Sequence, residues 1–170
     1  MLMRWKVGIL TLSDKGSRGE REDLSGLVIR EMLDPQLFDF VRYEVIADER
    51  ELIAATLKQW TGELDLVVTT GGTGVSPRDV TPDATRDVIE FEVPGMAEAM
   101  RQKSLEKTPH AMISRAVVGI RTCCLVINLP GSPKGVRENL EVVLPALPHA
   151  LAKIAGDPSD CATSSALTGV

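Results

Sequence analysis

The chain is poor in the residues that most often carry chemistry by themselves. It holds 2 histidines. Neither His110, between two helical segments, nor His149, in the last one, has a serine or cysteine in a recognised nucleophile context, so hydrolysis by a triad is disfavoured. The 3 cysteines, Cys123, Cys124 and Cys161, form no C-x-x-C or Cys/His spacing, which removes a zinc site. An odd count with an adjacent pair is no disulfide framework and points to a reducing compartment. No apolar run approaches the ~18 residues of a membrane span. The opening MLMRWKVGILTL has the apolar character of a leader, but the run is short and is followed by glycine and acid rather than a cleavage site. Excess positive charge is missing too: 19 Lys and Arg against 24 Asp and Glu leave a net charge of −5. That excludes a general nucleic-acid or membrane-surface binder and leaves a small anionic ligand open. The expectation is a cytoplasmic protein that engages neither nucleic acid nor membrane.

What is present is a core and a set of unusual loops. The 170 residues are 44% apolar, enough for one domain with a sizeable interior. KVGILTL (6–12) reads as a strand covered on both faces. LSGLVIREML (24–33) has helical spacing and is closed by Asp34-Pro35. FDFVRYEVI (38–46) alternates as a strand, ERELIAATLKQW (49–60) is helical, and LDLVVTT (64–70) is a third strand. A helix starts near Pro82, another runs through 96–106, and AVVGI (116–120) and CCLVIN (123–128) form two strands joined by Arg121-Thr122. The final helix, 136–154, contains Pro145 and Pro148, which kink or break it. Alternating strands and helices predict a doubly wound α/β domain with a mostly parallel sheet, spanning 1–156, and a flexible tail over 157–170. In such a fold the glycine-bearing loops after residues 12, 70 and 128 lie together at the carboxyl ends of the strands.

The loop TTGGTGVSPRDVTPDAT (69–85) is the richest. Gly71, Gly72 and Gly74 allow either a tight strand-to-helix turn or a cradle of amides for an anion, with Thr69, Thr70 and Thr73 adding hydroxyls. It is neither a P-loop nor a dinucleotide fingerprint. Asp79 and Asp83 follow the glycines. Beside a phosphate an acid repels the ligand unless a cation lies between them, and Mg²⁺ takes carboxylate and phosphate oxygens together. Asp83 also reads as a first-turn acid facing the helix dipole, and Asp48, with Glu51 three residues on, as a helix cap. Asp79 precedes its helix and is the better functional candidate. In LPGSPKG (129–135), Pro130 and Gly131 shape a loop, Lys134 can meet a phosphate, and Asn128 can read a polar ring edge. Its other reading is a turn in which Ser132 caps a helix with Pro133 at the first position. Arg115, after Ser114, reads as a phosphate ligand or as the partner of a surface acid. Ser13, Asp14 and Ser25 flank the first loop with the same two readings.

Taken with GILTLSD and DLSG, VIADE, VPGMAEAMRQKSL, AMISRAVVGIR and LVINLPGSPKGVRENL in that order, this loop resembles the signature of the MogA/MoaB family of molybdenum-cofactor biosynthesis proteins. The resemblance covers roughly residues 5–156. It implies a three-layer α/β fold and a homotrimer. It also implies binding of molybdopterin and Mg-ATP, and a transient contact with the molybdenum-insertion protein. The implied reaction is adenylylation: the terminal phosphate of molybdopterin attacks the α-phosphorus of ATP and pyrophosphate leaves. By the same resemblance Asp48 and Asp79 are the catalytic acids and candidate Mg²⁺ ligands. The resemblance makes Gly71 to Gly74 and Asn128, Leu129, Pro130 and Gly131 ligand loops, and the candidates read from residue type add Ser13, Asp14, Thr70, Ser114, Arg115 and Lys134. The alternative is a family member that binds pterin with little transferase activity and serves as carrier or scaffold.

Overall fold

In the computed structural model the described residues are 4–158, so Cys161 and all but the first two residues of the expected tail lie outside them. The sheet has six strands: β1 (Trp5–Leu12), β2 (Phe38–Ile46), β3 (Leu66–Thr70), β4 (Phe91–Glu92), β5 (Val118–Arg121) and β6 (Cys124–Leu129). Their order across the sheet is β2-β1-β3-β6-β5-β4. The pairs β1–β2, β1–β3 and β3–β6 are parallel, while β5 pairs antiparallel with both β6 and β4. The expected mostly parallel α/β sheet is therefore present. Its antiparallel edge follows from the short β5–β6 connection, where Thr122 takes a positive φ of 57°. The helix expected from Pro82 is short, ending at Arg86, and the two-residue β4 follows it.

Helices cover both faces. Each inner strand alternates its side chains between two apolar clusters. Val7 and Ile9 of β1, Leu66 and Val68 of β3 and Leu125 and Ile127 of β6 face α2 (Leu24–Met32), α5 (Pro94–Leu105), α6 (Pro133–Val143) and α7 (Leu147–Ile154). Leu10, Leu12, Val67 and Val126 face α3 (Arg50–Trp60) and α4 (Thr81–Arg86). Trp60, almost fully buried, packs into the room left by Gly8, where an added Cβ would stand 2.7 Å from its ring. The proline pair acts as expected: a 3₁₀ turn, Leu144–Ala146, separates α6 from α7. The loop after β1, expected without structure, opens with a one-turn helix, α1 (Asp14–Ser17), capped by Ser13.

The strand order places the functional end. From β1 the chain moves outward to β2, then crosses back over β1 to β3. The connections leaving β1 and β3 therefore go to opposite faces, α2 to one and α4 to the other, and a crevice opens between their first residues. This is the topological switch point, where open α/β sheets take their ligands.

Candidate active site

The crevice at that point encloses about 590 Å³ and is lined by Ser13, Asp48, Thr70, Gly71, Gly72, Asp79 and Gly131, among others. A second cavity of about 360 Å³ lies beyond the Pro130–Ser132 wall and is lined by Thr73, Gly74, Ser114, Pro130 and Lys134. Ser132 borders both. Most of the residues named from the sequence thus divide between two adjoining hollows, while Asp14, Arg115 and Asn128 line neither.

The glycines make room chiefly for the protein's own groups. Gly71 has φ 100°, and a Cβ there would stand 2.4 Å from the Leu12 carbonyl oxygen. Gly72 has φ 64°, with a would-be Cβ 2.4 Å from Thr81 Oγ1 and 3.0 Å from Asp48 Oδ1. At Gly74 the same position is 2.8 Å from Asp79 Oδ2. The loop is thus folded so that both carboxylates lie against bare backbone. Among the described residues, no acceptor bonds the N–H groups of Gly72, Thr73 and Gly74, which leaves donors for an anion.

Each of the two acids has one oxygen engaged and one free. Asp79 Oδ2 accepts the Ser76 N–H at 2.9 Å, and Asp48 Oδ2 accepts the Asp14 N–H at 3.0 Å. No donor among the described residues bonds either Oδ1. An oriented carboxylate with a spare oxygen is the arrangement expected of a cation ligand. Burial pushes the Asp48 carboxyl above its ordinary value, and the charges of Asp14 and Asp79 push the same way; the Asp14 N–H and the Arg78 charge oppose them. A cation would relieve that repulsion. No cluster of three or more His, Cys, Asp or Glu able to hold a metal exists among the described residues, so phosphate oxygens would have to complete the shell.

Several expectations are corrected by the geometry. Asp48 caps no helix: α3 begins after Glu49, whose side chain makes no cap bond, and the Asp48 carboxylate turns to Asp14 instead. Asn128 is fully buried, and its side-chain amide is engaged within the protein. Its Nδ2 donates to Thr69 Oγ1 and Thr85 Oγ1, both at 3.0 Å, and its Oδ1 accepts the Val117 N–H at 3.2 Å. Asn128→Ala should accordingly lower stability by about 1–3 kcal/mol, the scale for stranding buried polar groups. Ligand affinity of the folded fraction should stay unchanged, as denaturant titration beside calorimetry will read. Thr70 Oγ1 is also engaged, with the Pro130 carbonyl at 2.7 Å. Ser132 caps α6 through the Gly135 N–H, the turn reading of that loop, while Lys134 stays highly exposed, 3.9 Å from Glu138.

Arg115 is a brace. Its guanidinium donates to the carbonyls of Gly74 and Asp79 and to both oxygens of Asp83, while its N–H donates to the Thr73 carbonyl. The pairing holds the Asp83 carboxyl below the usual carboxylate range. Its stabilisation is present above the unfolded value of about 3.9 and is lost as pH falls through the folded one. Stability curves of the wild type and Asp83→Asn should therefore converge in acid, separated above it by no more than about 1 kcal/mol because the pair is partly exposed. Equal separation at every pH would contradict this.

Sequence reading passed over Asp23, Arg78 and Ser132 as parts of the site. Asp23 caps α2 and accepts Thr11 Oγ1 and Tyr43 Oη, each at 2.6 Å, in the crevice wall. Arg78 pairs with Asp14, 64 positions away. Only its place beside Asp79 could have signalled it.

Fold and crevice together define a doubly wound α/β protein with an acid- and glycine-lined pocket at its switch point, an architecture that takes nucleotides and related cofactors. A family model described as "Probable molybdopterin binding domain" matches residues 8–149. The chain belongs to the MogA/MoaB family of molybdenum-cofactor biosynthesis proteins. It is 48% identical over 155 residues to the molybdopterin adenylyltransferase of Helicobacter pylori (strain J99), covering 89% of this chain and 88% of that one. To the Escherichia coli (strain K12) molybdopterin adenylyltransferase it is 43% identical over 142 residues, 81% and 73% of the two chains. The crystal structure of the molybdopterin biosynthesis enzyme MoaB from Thermus thermophilus superposes with a TM-score of 0.85 at 53% identity, covering 92% of this chain and 99% of that one.

Proposed function

We propose that this protein is a molybdopterin adenylyltransferase, transferring AMP from ATP to the terminal phosphate of molybdopterin. Homologues named for that activity over most of both chains support it. The observation that carries it in the site is the pair Asp48 and Asp79, each held by a backbone amide through one oxygen with the other free, beside the unpaired amides of Gly72 to Gly74. Mg²⁺, ATP, a homotrimer and a cytoplasmic location belong to the same reading.

The chemistry asks little of the protein as acid or base. A phosphate monoester is already an ionised nucleophile. Its oxygen forms a bond to the α-phosphorus of ATP while the bond to the β-phosphate oxygen breaks, and pyrophosphate departs with that electron pair. The work is positioning two anions and offsetting their charge. Asp48 and Asp79 would hold Mg²⁺, which supplies positive charge against the phosphates and the departing pyrophosphate. The amides of Gly72, Thr73 and Gly74 donate to phosphate oxygens without bringing a side chain into the path. Gly71 and Gly131 let the two loops approach: a Cβ on Gly131 would stand 3.3 Å from the Gly71 Cα.

The test is to incubate the purified chain with molybdopterin, ATP and Mg²⁺ and to look by mass for the adenylylated pterin and for pyrophosphate. Both products are expected. Pterin binding without product, across ATP, GTP and several divalent ions, would leave a carrier.

A further inference from the structure

Three loops, each following one of the parallel strands β1, β2 and β3, meet at a closed set of bonds. Arg78, after β3, grips Asp14, after β1, through a two-bond fork: Nε to Oδ2 at 3.0 Å and Nη2 to Oδ1 at 2.7 Å. Asp14 and Asp48, after β2, exchange bonds reciprocally. The Asp14 N–H donates to Asp48 Oδ2 at 3.0 Å, and the Asp48 N–H donates to Asp14 Oδ1 at 3.1 Å. Both Asp14 oxygens are thereby occupied, unlike those of Asp48 and Asp79. Asp14 is placed to hold its neighbour rather than a ligand.

We propose that Arg78 is a positioning residue that sets the Asp48 carboxylate through Asp14, a proposal that rests on the adenylyl-transfer reading of the site. Two carboxylates joined this closely repel one another, and a guanidinium forked onto one of them offsets that charge and fixes its plane. On the far side of Asp48 stands Gly72, which has no side chain to stop the carboxylate from turning. Without Arg78, Asp14 is free to swing to solvent, the Asp48 N–H loses its acceptor, and Asp48 loses the contact that aims its free oxygen. The fork also ties the exposed segment 75–78 to α1, next to Asp48. A surface ion pair as exposed as this one contributes little to global stability. A positioning role therefore predicts a loss of function out of proportion to any loss of stability.

The experiment is a double-mutant cycle of Arg78→Gln, Asp14→Ala and the pair, with Arg78→Lys alongside, on the full chain. Turnover, KM for Mg-ATP, affinity for Mn²⁺ together with a non-hydrolysable ATP analogue by electron paramagnetic resonance without pterin, and melting temperature are measured for each. Arg78→Gln should lower kcat about 10- to 100-fold, the scale for misplacing a reacting group by about an ångström, with melting temperature nearly unchanged and KM for Mg-ATP raised by no more than the loss of metal affinity. Mn²⁺ affinity should fall by about 3- to 10-fold, a modest loss because Asp79 still binds. Arg78→Lys should recover only part of this, since an ammonium cannot make the fork. In the Asp14→Ala background, Arg78→Gln should cost nothing further. Additive losses would overturn the proposal, because Arg78 would then act without Asp14, as a direct ligand of phosphate. Wild-type turnover and Mn²⁺ affinity in Arg78→Gln would overturn it as well. If the wild type makes no product, the transferase reading fails by itself. The Mn²⁺ cycle then decides: coupled losses uphold the positioning role, and unchanged affinity rejects it.

Discussion

Asp79→Asn should abolish most turnover and leave the fold intact, and so should Asp48→Asn. Each asparagine keeps a carbonyl oxygen that can take over the existing bond, from the Ser76 N–H in one case and the Asp14 N–H in the other. What it then turns toward the crevice is an NH₂ in place of a free carboxylate oxygen. That group cannot ligate a cation, so the positive charge that would offset the phosphates is lost with it. A fall in kcat of about 10²- to 10³-fold is expected, the scale for removing one preorganised electrostatic group. Stability should move the other way for Asp48. Its carboxyl is pushed up by burial and by the charges of Asp14 and Asp79, so keeping it ionised costs the folded protein some stability above its unfolded value. Asp48→Asn should melt at or above the wild-type temperature, a trade of stability for function common at active sites. Paired melting curves and product assays check both halves. Variants that keep more than about a tenth of wild-type turnover, against the loss expected for such groups, would remove these carboxylates from the chemistry.

Gly72→Ala should damage both stability and activity, and Gly74→Ala mainly activity. At Gly72 the backbone is left-handed, and the added Cβ meets Thr81 Oγ1, whose hydroxyl is buried and bonded to the Gly71 carbonyl at 2.9 Å. Strain and the displaced hydrogen bond together should cost about 1–3 kcal/mol. The same Cβ also presses on Asp48. At Gly74 φ is not positive, and the first atoms a Cβ meets are those of the Asp79 carboxylate. That side chain can shift without unfolding anything, but it leaves its bond to the Ser76 N–H. Denaturation midpoints beside turnover will separate the two variants. A Gly74→Ala protein with full activity would mean that Asp79 tolerates displacement and is no precisely aimed group.

Much of this was legible in the sequence because the signals were local. Continuous apolar runs marked β1, β3 and β6, since strands buried on both faces cannot alternate. Ser132 before Pro133 offered the start of α6 as one of two readings, three residues ahead of the expected 136, and Pro145 and Pro148 marked its break. The alternation of strand and helix implied that the loops after residues 12, 70 and 128 would gather at one end, and the first crevice is lined by residues from all three. The misreadings share one cause. Asp48 looked like a cap because Glu51 stands three residues on, yet its partner is Asp14, 34 positions earlier in the chain. Asn128 looked like a ligand because it ends a strand beside a glycine loop, yet its amide is used up by β3, α4 and Val117. The two-residue β4 carries too few residues for any periodicity.

The sequence by itself determined the fold class, the set of elements and the identity of the acids and glycines, because those depend on residue type and on spacing within a turn or a strand. Only the tertiary structure decided what each polar group does. A hydrogen bond needs its partner within about 3 Å, and folding chooses among donors and acceptors scattered over the whole chain. It turned Arg115 into a brace, Asn128 into a core amide and Arg78 into the clasp on Asp14, and it left one free oxygen on each of Asp48 and Asp79.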